Sequence, residues 1–268
     1  MRHTAPPRPA APRSSSRGRG LWLLALAAVA GPPAVVPASA AVASVPADQP
    51  LVVLLRDHVA RTAPRTSARR ITTVRTRRPL TRVRTTLPVL DRATTRGTSW
   101  VHVRLPGRPN GHSGWMPATH TMPASTTWRL ALRRSTRTLT VYHEGRAVRR
   151  FRTVVGKPST PTPVGQFFIE EVVRVLPGHP GGPFALATSA LSTVLQEFEG
   201  GPGQVAIHGT RGLSGALGSA VSFGCVRISP SSIQRCSSPA AVAVASSPGA
   251  TPRSSQPHRS ANVAPRKS

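Results

Sequence analysis

Residues 128–155 read WRLALRRSTRTLTVYHEGRAVRRFRTVV, and this stretch decides the fold class. Trp128, Leu130 and Leu132 alternate with Arg129, Ala131 and Arg133, and Leu139 and Val141 alternate with Thr138 and Thr140. A period of two sends successive side chains to opposite faces of a strand, one toward a core and one toward water. Glu144-Gly145 supplies the tight hairpin turn between such strands, and Val148 to Val155 is the return. Downstream, the Pro-rich loop 158–163 leads into Phe167-Phe168-Ile169, which starts another strand, and Pro177 to Pro183 forms a second loop. Residues 188–198 (TSALSTVLQEF) predict a short helix with Thr188 or Ser189 as its cap. Val205-Ala206-Ile207 is a buried-type strand that ends at His208. The chain is therefore expected to be mainly β.

Upstream, residues 50–125 form a first, smaller β module. It opens on the apolar patch Leu51 to Leu55, turns Arg/Thr-rich through Thr86, and then alternates through Leu87-Pro88-Val89-Leu90 and Trp100 to Leu105. A turn-rich spacer, Pro106 to Gly111, leads to Gly114-Trp115-Met116-Pro117. The pattern W-x-x-V-R-L, turn, G-W-x-P resembles a bacterial SH3-like wall-binding module over about 30 residues. Trp100 and Trp115 fit either the core of such a unit or a ligand-binding surface.

Composition bounds the setting. All but two of the 36 basic residues are arginine, Lys157 and Lys267 being the exceptions, and against 8 acids the formal charge is +28. Such a field favours anionic surfaces, including wall polymers. The arginines lie on strand-like segments and loops, with no basic helix and no aromatic-interleaved RNA motif, so specific nucleic-acid recognition is not indicated. An arginine-over-lysine, Ala/Pro-rich composition is also what a GC-rich gene would encode. Residues 1–40 read as a secretory signal peptide: Arg2, Arg8, Arg13, Arg17 and Arg19 without an acid, the apolar run Leu21 to Ala30, and Ala38-Ser39-Ala40. Cleavage after Ala40 or Ala43 is expected, leaving a secreted chain near +23 with no transmembrane anchor. Residues 237–268 are Ser/Pro/Ala/Arg-rich and read as a disordered tail.

Two cysteines, Cys225 and Cys236, would allow one disulfide in an oxidising compartment, but the surroundings of Cys225 argue for chemistry. His208-Gly209-Thr210 closes a strand, and Ser222-Phe223-Gly224-Cys225-Val226-Arg227 follows seventeen residues on from His208 to Cys225, across a Gly-rich loop. Acyl transfer on a thiol needs a base, donors for an oxyanion and a grip on the substrate. Imidazole beside sulfur favours thiolate. Gly224 lets the backbone approach closely, so the Gly224 and Cys225 amides could serve an oxyanion, and the planar fork of Arg227 matches a carboxylate. By spacing alone, an inert core cysteine and a strand-end histidine fit the same residues.

The segment I-H-G-T … S-F-G-C-V-R resembles the signature of the YkuD-type L,D-transpeptidase domain. The upstream motifs agree in order: Leu139 to Tyr142 with Glu144-Gly145, Val154 to Lys157, Thr160 to Phe167, and Gly203 to His208. The resemblance covers about residues 128–230. It implies a β-sandwich with a short helix, preceded by the SH3-like module, with the catalytic domain spanning 126–236. It further implies Cys225 as nucleophile, His208 as base oriented by the carbonyl of Gly209, and the Gly224 and Cys225 amides as oxyanion donors. Arg227, with Phe223 and Ser222, would meet the substrate. The implied activity is transfer of a peptidoglycan stem peptide with release of D-alanine, without metal or organic cofactor.

Two departures stand out. The family usually carries a second histidine two residues before the cysteine, where this chain has Phe223. The family also continues past a helix into a final strand. Pro230 to Gln234 can start that helix, but from Cys236 onward no closing strand is expected. An alternative is thus a wall-associated binding protein on the same scaffold, catalytically impaired. Elsewhere, His102, His112 and His120 lack the neighbours of a metal site, and Glu170 and Glu171, as strand neighbours, are expected on opposite faces in a solvated or wall-facing role.

Overall fold

A computed structural model describes residues 45–198, 200–236 and 241–247. The proposed signal peptide and the end of the tail lie outside the described residues. The first module contributes β1 (Gln49–Leu54), β2 (His58–Arg61), β3 (Arg70–Val74), β4 (Thr86–Thr95), β5 (Thr98–Arg104), β6 (Ser113–Pro117) and β7 (Thr121–Thr126). They form a seven-stranded antiparallel sheet in the order β3-β2-β6-β5-β4-β1-β7. Its apolar faces enclose Val52, Leu54, Leu87, Val101, Val103, Leu105 and Met116. Trp100 is buried, whereas the half-buried Trp115 stacks on His102 with ring centroids 4.7 Å apart.

The second module follows with β8 (Trp128–Arg133), β9 (Thr138–His143), β10 (Arg146–Arg152), β11 (Val155–Gly156), β12 (Gly165–Arg174) and β13 (Phe184–Leu191). After these come β14 (Gln204–Gly209), β15 (Ala220–Ser222), β16 (Val226–Ile228), a helix α1 (Pro230–Cys236) and β17 (Ala241–Ser247). The main sheet runs β10-β9-β8-β17-β12-β13-β14-β16, and β11 pairs with β15 in a parallel two-stranded ladder. The β9–β10 hairpin turns at Glu144 and Gly145, both at positive φ (51° and 76°), the conformation a two-residue turn of this hand requires. Leu130, Leu132, Leu139 and Val141 join Phe167, Ile169, Leu186, Ile207, Val226 and Ile228 in one core, with Ile233 and Cys236 of α1 packed into it.

Three expectations are corrected. Residues 188–198 are not a helix: Thr188 to Leu191 complete β13, between β12 and β14, and are buried on both faces. An interior strand of this kind shows no apolar–polar alternation, which is why its sequence passes for a helix. The helix of this module is the one at Pro230. Second, a closing strand exists. Residues Ala241–Ser247 lie between β12, which they meet antiparallel, and β8, which they meet parallel. The module thus runs past residue 236 into part of the segment read as a tail, and the sheet would be split without β17.

Third, Glu170 and Glu171 do not face opposite sides. The β12–β13 register shifts between Ile169 and Glu171, a bulge that inserts Glu170 as an extra residue. Val172 then faces the core that Ile169 faces, and both glutamates turn to the first module. Glu170 forms a buried ion pair with Arg78, and Glu171 accepts from the backbone N–H (2.8 Å) and hydroxyl (2.7 Å) of Thr81. One strand position earlier, Phe168 is fully buried in the core of the first module. β12 therefore serves both cores, and the two modules are joined by packing as well as by the chain between them.

Candidate functional site

The site grows from the parallel pairing of β14 with β16. Ile207 lies opposite Val226, and His208 opposite Arg227. Ile207 and Val226 point into the core, so the alternating positions Ala206, His208, Cys225 and Arg227 share the other face. Cys225 enters this face next to Ala206, whose backbone N–H donates to Cys225 Sγ at 3.4 Å. Cysteine and histidine thus stand on one side of the sheet, two residues apart in register.

The carbonyl of Gly209 orients His208. Its Nδ1–H donates to the carbonyl of Gly209 at 2.9 Å, which leaves Nε2 as the acceptor nitrogen. Burial first, and then the charge of Arg227, push the imidazole below the usual histidine range, while the bond to Gly209 pulls the other way. The ring is therefore neutral at neutral pH and able to take a proton. The loop before β13 presses on it: Gly209 N–H donates to Gly181 O at 2.7 Å, and Gly181 N–H to Arg211 O at 2.8 Å. A β-carbon at Gly181 would lie 2.8 Å from His208 Nδ1, so only glycine fits against the ring. The Pro180-Gly181-Gly182-Pro183 punctuation was legible as a loop but not as part of the site.

The turn that presents Cys225 is held from inside. Ser222, expected to meet substrate, is 0% exposed; its hydroxyl donates to Cys225 O at 2.6 Å and accepts from Gly224 N–H at 3.2 Å. The Gly224 amide, expected to face an oxyanion, is thus directed to Ser222. Gly224 itself adopts φ +120°, open to glycine and strained for other residues. Two buried threonines secure the same turn. Thr160 Oγ1 donates to Ser222 O at 3.2 Å, and Thr162 Oγ1 donates to Gly224 O at 2.8 Å while accepting from Gly156 N–H at 2.9 Å. In the sequence they stand in the run Thr160-Pro161-Thr162-Pro163, where two hydroxyls spaced by one proline are the signal for this role.

Arg227, expected to grip the substrate, turns inward. It is 9% exposed, its Nη1 donates to Ser214 O at 2.7 Å, and its backbone is bonded on both sides to Val154. It fixes the Gly-rich loop across the histidine. Phe223 does the reverse: half of its surface is exposed, its ring centre lies 5.9 Å from that of Phe198, and the Lys157 ammonium stands 4.5 Å over it. Cys225 and Cys236 are not joined in a disulfide. Cys236 is buried in the core, where its thiol is pushed up to about 11 by desolvation. Among the described residues, no cluster of histidine, cysteine or acid is arranged to hold a metal ion.

The arrangement offers a thiol and a neutral imidazole on one sheet face, in a turn braced by four hydroxyl contacts. Residues 128–238 match the family model described as the L,D-transpeptidase catalytic domain, YkuD. Over 106 residues the chain is 38% identical to a candidate L,D-transpeptidase, YkuD, of Bacillus licheniformis, covering 40% of this chain and 56% of that protein. Over 113 residues it is 33% identical to the like-named protein of Bacillus subtilis, covering 42% and 58%. The chain thus spans less than two thirds of the length of the curated relatives it matches. A solved L,D-transpeptidase from Mycobacterium tuberculosis H37Rv overlaps 59% of this chain and 97% of that one at 16% identity, with a TM-score of 0.38. The family match begins at the first residue of β8 and encloses β14, the cysteine turn and α1: residues 128–238 belong to the L,D-transpeptidase catalytic domain family, YkuD.

Proposed function

We propose that the protein is an exported peptidoglycan L,D-transpeptidase in which Cys225 is the nucleophile and His208 its base. The observation that carries this reading is the shared sheet face of Cys225 and His208, with His208 Nδ1 committed to Gly209 O and Nε2 left to accept a proton. The thiol proton passes to His208, and the thiolate attacks the carbonyl of the third residue of a stem tetrapeptide. The tetrahedral intermediate collapses to a thioester as the amide bond breaks, and D-alanine leaves with the proton from His208. An amine of a neighbouring stem then attacks the thioester, returns the thiol and leaves a cross-link in the wall.

The charged, apolar and small-residue order of residues 1–40 supports export, and no helix among the described residues is long and apolar enough to cross a membrane. The first module, with fourteen arginines and three aspartates between residues 45 and 127, is proposed to hold the enzyme on anionic wall polymer.

The test is the intact mass of the protein after exposure to a carbapenem. One adduct, mapped to Cys225 and lost in Cys225→Ser, is the expected result. Wild type without an adduct, releasing no D-alanine from a stem tetrapeptide, would instead leave a wall-binding protein on this scaffold.

A further inference from the structure

A donor peptide that ends in D-alanine brings a carboxylate to the thiol, and the residue expected to receive it, Arg227, is turned inward and only 9% exposed. Its guanidinium lies inside the protein on Ser214 O. Among the cations of this neighbourhood, Lys157 reaches over the exposed ring of Phe223. Lys157 follows β11, whose Gly156 is in register with Ser222 of β15, and its backbone N–H donates to Ser222 O at 2.9 Å. Its side chain reaches over Phe223, two residues before Cys225, and places the ammonium 4.5 Å from the ring centre.

Three features suit this ammonium to an anionic ligand. Among the described residues no carboxylate pairs with it; the ion pairs there are Arg75–Asp57 and Arg78–Glu170. The ring beneath it is half exposed and is walled by Phe198, 5.9 Å away between ring centres, so the charge sits at an apolar margin where a counter-charge is attracted more strongly than in open water. The chain is otherwise built with arginine, yet one of its two lysines stands here. An ammonium over a ring keeps donors directed outward, whereas a guanidinium tends to lie flat on it.

The wall is also fixed in place. Arg108 of the first module donates to three carbonyls of the segment that carries Phe198: Ser192 O (2.8 Å), Leu195 O (3.1 Å) and Pro202 O (3.2 Å). Asn110 bonds Leu191 twice, donating to its carbonyl at 2.7 Å and accepting from its N–H at 2.9 Å. Phe198 and Gly201 exchange backbone bonds at 2.9 and 3.0 Å, which closes the loop at its tip. The first module thereby holds the segment that brings Phe198 to Phe223.

We propose that Lys157, seated on Phe223 and flanked by Phe198, is the subsite for the C-terminal carboxylate of the donor stem peptide. The assignment rests on the transpeptidase reading above and names the group that selects its substrate. The leaving D-alanine carries this carboxylate away, so the contact orients the scissile bond before attack and adds nothing to the thioester.

The experiment compares a stem tetrapeptide ending in a free carboxylate with the same peptide ending in a carboxamide. Thioester formation on Cys225 is followed by intact mass, together with release of D-alanine or D-alaninamide. Wild type should prefer the acid roughly tenfold in kcat/KM, mostly through KM, as expected for one charge-assisted contact. In Lys157→Gln the preference should collapse to near one, and Lys157→Arg should restore part of it. Equal loss on both peptides in Lys157→Gln, or a wild type indifferent to the two, overturns the Lys157 assignment and leaves the transpeptidase reading standing. No turnover of either peptide by wild type overturns that reading, and this assignment with it.

Discussion

Two segments meet at Phe223, and they are held in place by different means. The turn 222–225 is braced by hydroxyls of Ser222, Thr160 and Thr162, all within the matched family segment. The segment 192–203, which brings Phe198 to Phe223, is braced from the first module by Arg108 and Asn110. The first kind of support travels with the motif, and the second depends on a module outside it. The support of the cysteine turn is therefore local, whereas the placing of Phe198 beside it depends on the two modules together.

The largest effect expected is on the local side. Replacing His208 by alanine removes the proposed proton acceptor and should slow acylation of Cys225 by about 10²–10⁴-fold, the usual range for a general base. Phe223→Ala, which trims only the margin, should cost about tenfold or less. The measurement is the rate of adduct formation by mass spectrometry with one β-lactam and both variants. Equal losses would remove the distinction between centre and margin and contradict the base assignment.

Next in size is Thr162→Val, nearly isosteric but without the hydroxyl that donates to Gly224 O and accepts from Gly156 N–H. Two buried partners are left unsatisfied, so the variant should lose about 1–3 kcal/mol in stability and more than about tenfold in acylation rate. Thermal melting and acylation measured on the same sample check it. A stability loss without a rate loss would mean that the turn holds Cys225 without help from Thr162.

How far the sequence reaches follows the same division. The hairpin of β9 and β10, the strand into His208 and the cysteine turn were legible because their signals are short-range: period-two alternation, a Glu-Gly turn, and a His-Gly-Thr and Gly-Cys pair in order. The misread parts are those whose neighbours come from far away. Thr188 to Leu191 looked helical because both faces are covered, by β12 and β14 in the sheet and by core on either side. The Glu170 bulge cannot be seen in a strand read alone, since it exists only against β13. Ala241-Val242-Ala243-Val244-Ala245 does alternate, but with alanine on one side the contrast is faint. Its partners, β8 and β12, are more than seventy residues upstream. Arg108 gave no signal, since one arginine among so many carries no information until its three carbonyls are known.

The external support is tested by Arg108→Ala. The first module and the cysteine turn should both remain folded, while segment 192–203 loses three hydrogen bonds. Acylation by a small β-lactam should change by less than about threefold, and KM for the stem peptide should rise by about three- to tenfold, in line with one or two net hydrogen bonds. Limited proteolysis should find a new cut between residues 192 and 203. If the β-lactam rate falls as far as the peptide's, the segment supports the centre and not the margin.

The smallest effect is a shift in pH dependence, and its sign is fixed by the geometry. His208 must be neutral to accept the thiol proton, so acylation falls as pH drops through the folded-state pKa of His208, which lies below 6.5. Burial is the main cause and the charge of Arg227 adds to it in the same direction. Stability follows the same logic: the unfolded chain protonates His208 first, so the fold loses stability as pH falls below 6.5 toward the folded value. Arg227→Met removes the charge from the strand position opposite His208 and keeps most of the side-chain bulk. The acid limb of kcat/KM should then move to higher pH, by a fraction of a unit because desolvation remains. A limb that moves to lower pH would show that Arg227 raises the pKa of His208, and that the Ser214 contact alone explains the burial of its guanidinium.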